Sequence, residues 1–153
     1  MATIPIYDAR TNAIVMLDRI QKPDEEWKRL LTAEQYEVTT RSGTELPGTC
    51  TLSDIHDPGH LVCVRCGTDL FRHVTKFESG TGWPSFYEPV SALNIVERAD
   101  PSLGIVRTEV TCARCDAHLG HVFDDGPPPT GKRYCMNGVA LRFVRSAETQ
   151  RAR

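Results

Sequence analysis

The residues most able to do chemistry are cysteines and histidines. Two cysteine pairs, Cys63-Val-Arg-Cys66 and Cys112-Ala-Arg-Cys115, share a wider pattern, C-x-R-C-x-x-x-L, that runs on to Leu70 and Leu119. A C-x-x-C turn directs two sulfurs at one ion, and two such knuckles complete tetrahedral thiolate coordination of one structural zinc, with Zn–S near ~2.3 Å. The stretch between Cys66 and Cys112 is more than twice the ~15–20-residue spacer of common four-cysteine modules, so it must carry structure of its own. Redox pairs and a disulfide framework are the alternatives. A thioredoxin-like pair opens a helix after a strand, whereas both pairs here lie in strand-rich sequence. A closed four-sulfur site has no open coordination position, so it would stabilise the fold and perform no chemistry.

Cys50 and Cys135 remain. A lone cysteine is often a small buried hydrophobe, but Cys135 sits in Lys132-Arg-Tyr-Cys-Met-Asn-Gly138. Its basic neighbours favour a thiolate, although adjacent strand residues point to opposite faces, so only one of Lys132 and Arg133 can help. His118 and His121 offer proton transfer near neutral pH. A second metal site or plain surface histidines would fit the same spacing, so the residues alone leave an enzyme and a non-catalytic domain both open.

The elements that must position these groups are mostly strands. Pro23 followed by Asp24, Glu25 and Glu26, with Lys28 and Arg29 later, predicts a short helix whose Trp27, Leu30 and Leu31 share one buried face. Thr32-Ala-Glu-Gln35 reads as a capping box opening a brief second helical turn. From Tyr36 onward short alternating segments between Gly, Pro, Asp and Ser predict strands at hairpin spacing. Val106, Val110 and Cys112 are expected on one strand face, opposite Arg107, Glu109 and Thr111. Val139, Leu141 and Phe143 are expected to share a face of another strand. Gly126 to Gly131, with three successive prolines, is a loop. Residues 1–22 read as an extended arm or edge strand, 23–145 as one domain and 146–153 as a frayed tail.

The chain has 153 residues and 17.1 kDa, with 18 Lys plus Arg against 20 Asp plus Glu. A net charge of -2 and 40% hydrophobic residues argue against nucleic-acid or membrane-surface binding and against disorder. No apolar run approaches a membrane span, and the N-terminus lacks a basic leader pattern. A cytoplasmic location, and with it reduced cysteines, is the expectation.

Gly80-Thr-Gly-Trp-Pro-Ser-Phe86, the block from Cys112 to Pro127, and Arg133-Tyr-Cys-Met-Asn137 closely resemble the signature blocks of the B-type peptide-methionine sulfoxide reductases. Thr44-Glu45 and Lys76-Phe77 fit as well, and order and spacing match from Tyr36 to Val144. The resemblance implies a mostly β fold of two antiparallel sheets with short N-terminal helices. It also implies reduction of the R epimer of methionine sulfoxide, mainly in proteins and peptides, a protein-repair activity. By position, Cys135 matches the nucleophile, His121 the proton-handling histidine and His118 a second imidazole beside it. Trp83 and Phe123 match the pocket walls around the substrate methyl group. Asn137 and Arg133 match polar groups that orient water and stabilise the thiolate.

One position departs from the pattern. Many members carry a resolving cysteine where this chain has Thr81, and a hydroxyl cannot form the disulfide. Cys50, in Pro47-Gly-Thr-Cys-Thr51, is the unassigned cysteine and the candidate resolving thiol, with thioredoxin as the expected reductant and a monomer as the expected state. Direct reduction of the sulfenic acid by thioredoxin, glutathione or another small thiol is the alternative. Met136 and Gly138 also stand where many relatives have isoleucine and serine. The competing class of function is a non-catalytic zinc-stapled β domain that binds a protein partner.

Overall fold

The computed structural model describes residues 3–44, 58–101 and 106–145. Strands β1 (Thr3–Asp8) and β2 (Ala13–Asp18) form an antiparallel hairpin. Its outer face leaves Ile14 and Met16 exposed, which is why the segment shows no clean polar/apolar alternation. The hairpin is tied down by backbone groups instead. Buried Asn94 accepts from the Tyr7 N–H at 2.9 Å and donates to the Tyr7 carbonyl at 2.9 Å, and Asp69 accepts from the Ala9 N–H at 2.8 Å.

Helix α1 (Asp24–Leu30) starts at Pro23, with its acids in the first turn and its bases in the last. Trp27 is buried beneath the Arg65 guanidinium, 4.2 Å from the ring centroid. Leu30, expected on the same face, is exposed. The chain leaves the helix immediately afterwards, and Leu31, in extended conformation, packs against the core in its place. Helix α2 (Ala33–Arg41) is longer than the brief turn expected and opens on the full capping box. Thr32 Oγ1 accepts from the Gln35 N–H at 3.1 Å, and Gln35 Oε1 accepts from the Thr32 N–H at 3.0 Å.

Among the described residues three antiparallel sheets form, one more than the two expected, because the N-terminal hairpin makes a sheet of its own. β3 (Gly59–Cys63), β4 (Asp69–Arg72) and β11 (Leu141–Arg145) make a three-stranded sheet in the order β11-β3-β4. β5 (Lys76–Phe77), β6 (Ser85–Phe86), β7 (Ile95–Asp100), β8 (Arg107–Cys112), β9 (His118–Phe123) and β10 (Arg133–Met136) make a six-stranded sheet in the order β5-β6-β10-β9-β8-β7. The long stretch between the two knuckles does carry structure of its own, holding β4 to β7 and most of β8. Val106 precedes β8 and is exposed, while Val110 and Cys112 are fully buried. Val139 lies not in a strand but in a 3₁₀ turn, Gly138–Ala140, closed by the Ala140 N–H on the Asn137 carbonyl at 3.0 Å. The core joins the two larger sheets through Phe71 of β4 and Phe86 of β6, stacked at 4.5 Å. Each such large apolar group contributes ~1.5–3 kcal/mol on burial.

Candidate active site and metal centre

The repeated C-x-R-C-x-x-x-L pattern folds twice into one local structure. In each copy the first cysteine ends a strand and its N–H bonds the carbonyl five residues on, Cys63 to Thr68 and Cys112 to Ala117, both at 2.9 Å. Its own carbonyl accepts from the N–H four residues on, from Gly67 at 2.8 Å and from Asp116 at 2.9 Å. The turn needs a left-handed residue there, and Gly67 and Asp116 supply it with φ of 78° and 63°, conformations that glycine and short acidic residues tolerate best. Leu70 and Leu119 close each copy in the core, both fully buried.

The two knuckles face each other. All four Sγ atoms of Cys63, Cys66, Cys112 and Cys115 lie within 4.8 Å of one another. Cys63 to Cys115 and Cys66 to Cys112 are each 3.6 Å, close to the ~3.8 Å edge of a tetrahedron built on ~2.3 Å metal–sulfur bonds. The sulfurs are unbridged. Hydrogen bonds among them push the Cys66 and Cys112 thiols down and the Cys63 and Cys115 thiols up. Such a buried, all-sulfur group can hold one metal ion.

Cys135 lies on β10 in a separate constellation fixed by strand register. Cys135 pairs directly with His121, and Arg133 pairs with Phe123, across the β10–β9 ladder. Directly paired antiparallel residues share a face, so this register sets His121, Phe123, Arg133 and Cys135 side by side. In a regular strand His118 and His121, three apart, would point to opposite faces. The β8–β9 ladder slips here: Thr111 pairs with His118 but Val110 with Gly120. Leu119 is the extra residue, and this bulge re-aims the strand so that both rings meet edge to face at 5.5 Å.

Cys135, His121, Phe123 and Arg133 line a cavity of 280 Å³ with Thr44, Thr81, Trp83, Arg107, Gly120, Met136 and Asn137. That volume lies near the lower end of the ~300–1,000 Å³ range of ligand pockets, suited to one side chain. Trp83 is carried on a loop whose Gly80 and Gly82 have φ of 78° and 86°. His118 does not line the cavity and lies behind His121. A larger groove of 560 Å³, between the N-terminal hairpin and the three-stranded sheet, is lined by no cysteine, so the chemistry points to the smaller cavity.

Burial pushes the Cys135 thiol up. The Thr81 hydroxyl, the Arg133 charge and the Ser85 hydroxyl pull it back only in part. Thr81 Oγ1 lies 4.0 Å from Cys135 Sγ and 2.8 Å from Ser79 Oγ, which accepts from the Ser85 hydroxyl at 2.8 Å. Of the two adjacent bases, Arg133 is the one that acts on the thiol. Lys132 is turned away onto Asp124 at 2.5 Å. Arg133 is held by Asp125 at 2.9 and 3.2 Å and lies 4.4 Å over the Phe123 ring. Asn137 is buried, its side-chain amide donating to the Leu119 carbonyl at 3.2 Å. Cys50 lies outside the described residues, six positions after cavity-lining Thr44.

Sequence reasoning missed the carboxylates behind the histidines. His118 Nδ1 contacts Glu109 at 2.7 Å, and His121 Nε2 contacts Asp100 at 2.8 Å. Arg107 lines the cavity and pairs with Asp100 at 3.5 Å. The available signal is that Arg107 and Glu109 share one face of β8, a pattern that by itself matches any strand's polar side. Burial pulls the His118 imidazole down, and its pair with Glu109 opposes this.

A model of the SelR domain family matches residues 31–145. The chain is 53% identical over 127 residues to the peptide methionine sulfoxide reductase MsrB of Hahella chejuensis, covering 83% of this chain and 91% of that protein. It is 52% identical over 128 residues to that of Pseudomonas syringae pv. syringae, covering 84% and 98%. It is 50% identical over 129 residues to that of Methanosarcina barkeri, covering 84% and 91%. A repeated cysteine knuckle, a bulged histidine strand and a thiol facing it across one ladder thus occur in a chain that belongs to the SelR domain family of methionine sulfoxide reductases.

Proposed function

We propose that the chain reduces the R epimer of methionine sulfoxide, mainly in peptides and proteins, with Cys135 as nucleophile. The observation that carries this reading is the direct pairing of Cys135 with His121 inside a cavity walled by Trp83 and Phe123. The Cys135 thiolate attacks the sulfoxide sulfur, and the sulfoxide oxygen takes a proton from His121. The bond between the two sulfurs breaks again as the protonated oxygen passes from the methionine sulfur to the Cys135 sulfur, so methionine leaves and Cys135 retains the oxygen as sulfenic acid. The methionine sulfur gains two electrons and the Cys135 sulfur loses two. Protonation is essential because unprotonated oxide is a very poor leaving group. Arg133 and Thr81 stabilise the thiolate against the cost of burial, while Trp83 and Phe123 seat the methyl group. Asn137 fixes the β9–β10 junction from the cavity wall.

The donor set fits zinc, a borderline-soft ion that takes four thiolates in closed structural sites. Cys63, Cys66, Cys112 and Cys115 would hold it, and its contribution is to clamp β3 to β8. Regeneration needs a second thiol, because Thr81 cannot resolve the sulfenic acid. Cys50 condenses with it to a disulfide with loss of water, and thioredoxin reduces that disulfide. A purely binding role would leave the thiol, imidazole and indole convergent for no purpose. The test is single-turnover methionine release from an R-sulfoxide peptide. Wild type is expected to release one methionine per chain, and Cys135→Ser none. Release by Cys135→Ser would overturn the assignment.

A further inference from the structure

Two carboxylate–histidine pairs lie side by side on β7, β8 and β9, Asp100 with His121 and Glu109 with His118. An ionised carboxylate can only accept hydrogen bonds. The 2.8 Å contact therefore requires His121 Nε2 to carry hydrogen and donate it to Asp100. Nδ1 is then the ring nitrogen left to exchange a proton with a cavity ligand. Asp100 is itself held by the Arg107 guanidinium at 3.5 Å, and Arg107 lines the cavity. Asp100 and Arg107 are direct partners across the β7–β8 ladder, so their separation is set by backbone register.

We propose that Asp100 is the positioning residue for the reductase step: it holds His121 in the Nε2–H form beside Cys135, and Arg107 fixes Asp100 in turn. The inference rests on the reading of His121 as proton donor. Asp100 is not among the residues that line the cavity; it acts through the ring. The charges around that ring come from every neighbouring strand: Asp100 and Arg98 from β7, Arg107 and Glu109 from β8, Arg133 and Cys135 from β10, and His118 from β9 itself. Helix α2 adds Glu37 and Arg41, exposed and paired with each other at 4.0 Å. Among these, Asp100 is the carboxylate bonded to the His121 ring, while Glu109 is bonded to His118. The two pairs thus divide the work, with His118 held by Glu109 as a fixed neighbour and His121 held by Asp100 as the exchanging group.

The test combines tautomer and rate. Long-range ¹H–¹⁵N correlation spectra of the metal-loaded wild type should show neutral His121 protonated at Nε2; protonation at Nδ1 instead would overturn the proposal, whatever any variant does. Asp100→Asn keeps an acceptor oxygen but removes the charge. It should slow single-turnover reduction of the sulfoxide about tenfold at neutral pH, because the ring loses the charged acceptor that fixes its Nε2–H form. Asp100→Glu should recover part of the rate. A folded Asp100→Asn with wild-type rate would overturn the proposal. His121→Gln separates the two readings. If it too reacts at the wild-type rate, the histidine is not the donor; if it is slow while Asp100→Asn is normal, only the positioning role fails.

Discussion

Gly120 is where the register of the site can be perturbed at one atom. A Cβ built there would sit 2.2 Å from the Cys135 carbonyl oxygen, 2.9 Å from Met136 Cα and 3.0 Å from Met136 Cε. Ordinary contact begins at 3.4 Å, so β9 and β10 must separate by ~1.2 Å, because two of the three obstacles are backbone. Overpacking of this kind costs ~1–3 kcal/mol, and at ~2–4 °C per kcal/mol for a chain of this size Gly120→Ala should lower Tm by roughly 2–12 °C. The larger effect should be kinetic. The ladder that opens is the one pairing Cys135 with His121, and a misplacement near 1 Å costs about a hundredfold in a step that depends on alignment. Rapid-quench release of methionine by metal-loaded enzyme, at a temperature where the variant is folded by circular dichroism, measures it. A rate within threefold of wild type would refute the claim that the Cys135–His121 register carries the reaction, even if Tm falls as expected.

Other outcomes follow from the same geometry. Purified protein should contain one equivalent of zinc by elemental mass spectrometry, and Cys66→Ser should lose it together with a cooperative melting transition, since metal and fold are linked at such sites. Alkylation of Cys135 by iodoacetamide should keep accelerating above the ordinary cysteine value of about 8.5, because burial disfavours the thiolate. Arg133→Met removes a charge that favours the thiolate, so the profile should move further up and alkylation at pH 8 should fall about three- to tenfold. Cys50→Ser should keep the first methionine release and lose thioredoxin-dependent turnover; unchanged turnover would assign regeneration to an external thiol acting directly.

Much of the site was legible because its residues are chemically conspicuous. The two knuckles could be read from their cysteines, and the repeat extended to the leucines that close each turn. The Thr32–Gln35 capping box was legible because local hydrogen bonding alone decides it. What was hidden depended on distant register. The Leu119 bulge, which brings His118 and His121 to one side, has no local signal, since a β-strand alternates regularly until its partner slips. Asp100 sits at a strand end, and only the β7–β8–β9 order makes it a neighbour of His121. The hairpin at residues 3–18 escaped a firm reading because its outer face exposes Ile14 and Met16. Leu30 was misplaced because a seven-residue helix anchored by Trp27 leaves the next buried position to the extended Leu31.

The most direct measurement of the reaction is which cysteine becomes a sulfenic acid when one sulfoxide is reduced. Cys50→Ser enzyme, pre-reduced and freed of reductant, is mixed with one equivalent of a methionine-R-sulfoxide peptide, and the products are trapped with dimedone and mapped by mass spectrometry. One peptide reduced per chain and dimedone on Cys135 are expected. Reduction of the peptide with Cys135 unmodified, or trapping at any of the four knuckle cysteines instead, would contradict Cys135 as the nucleophile.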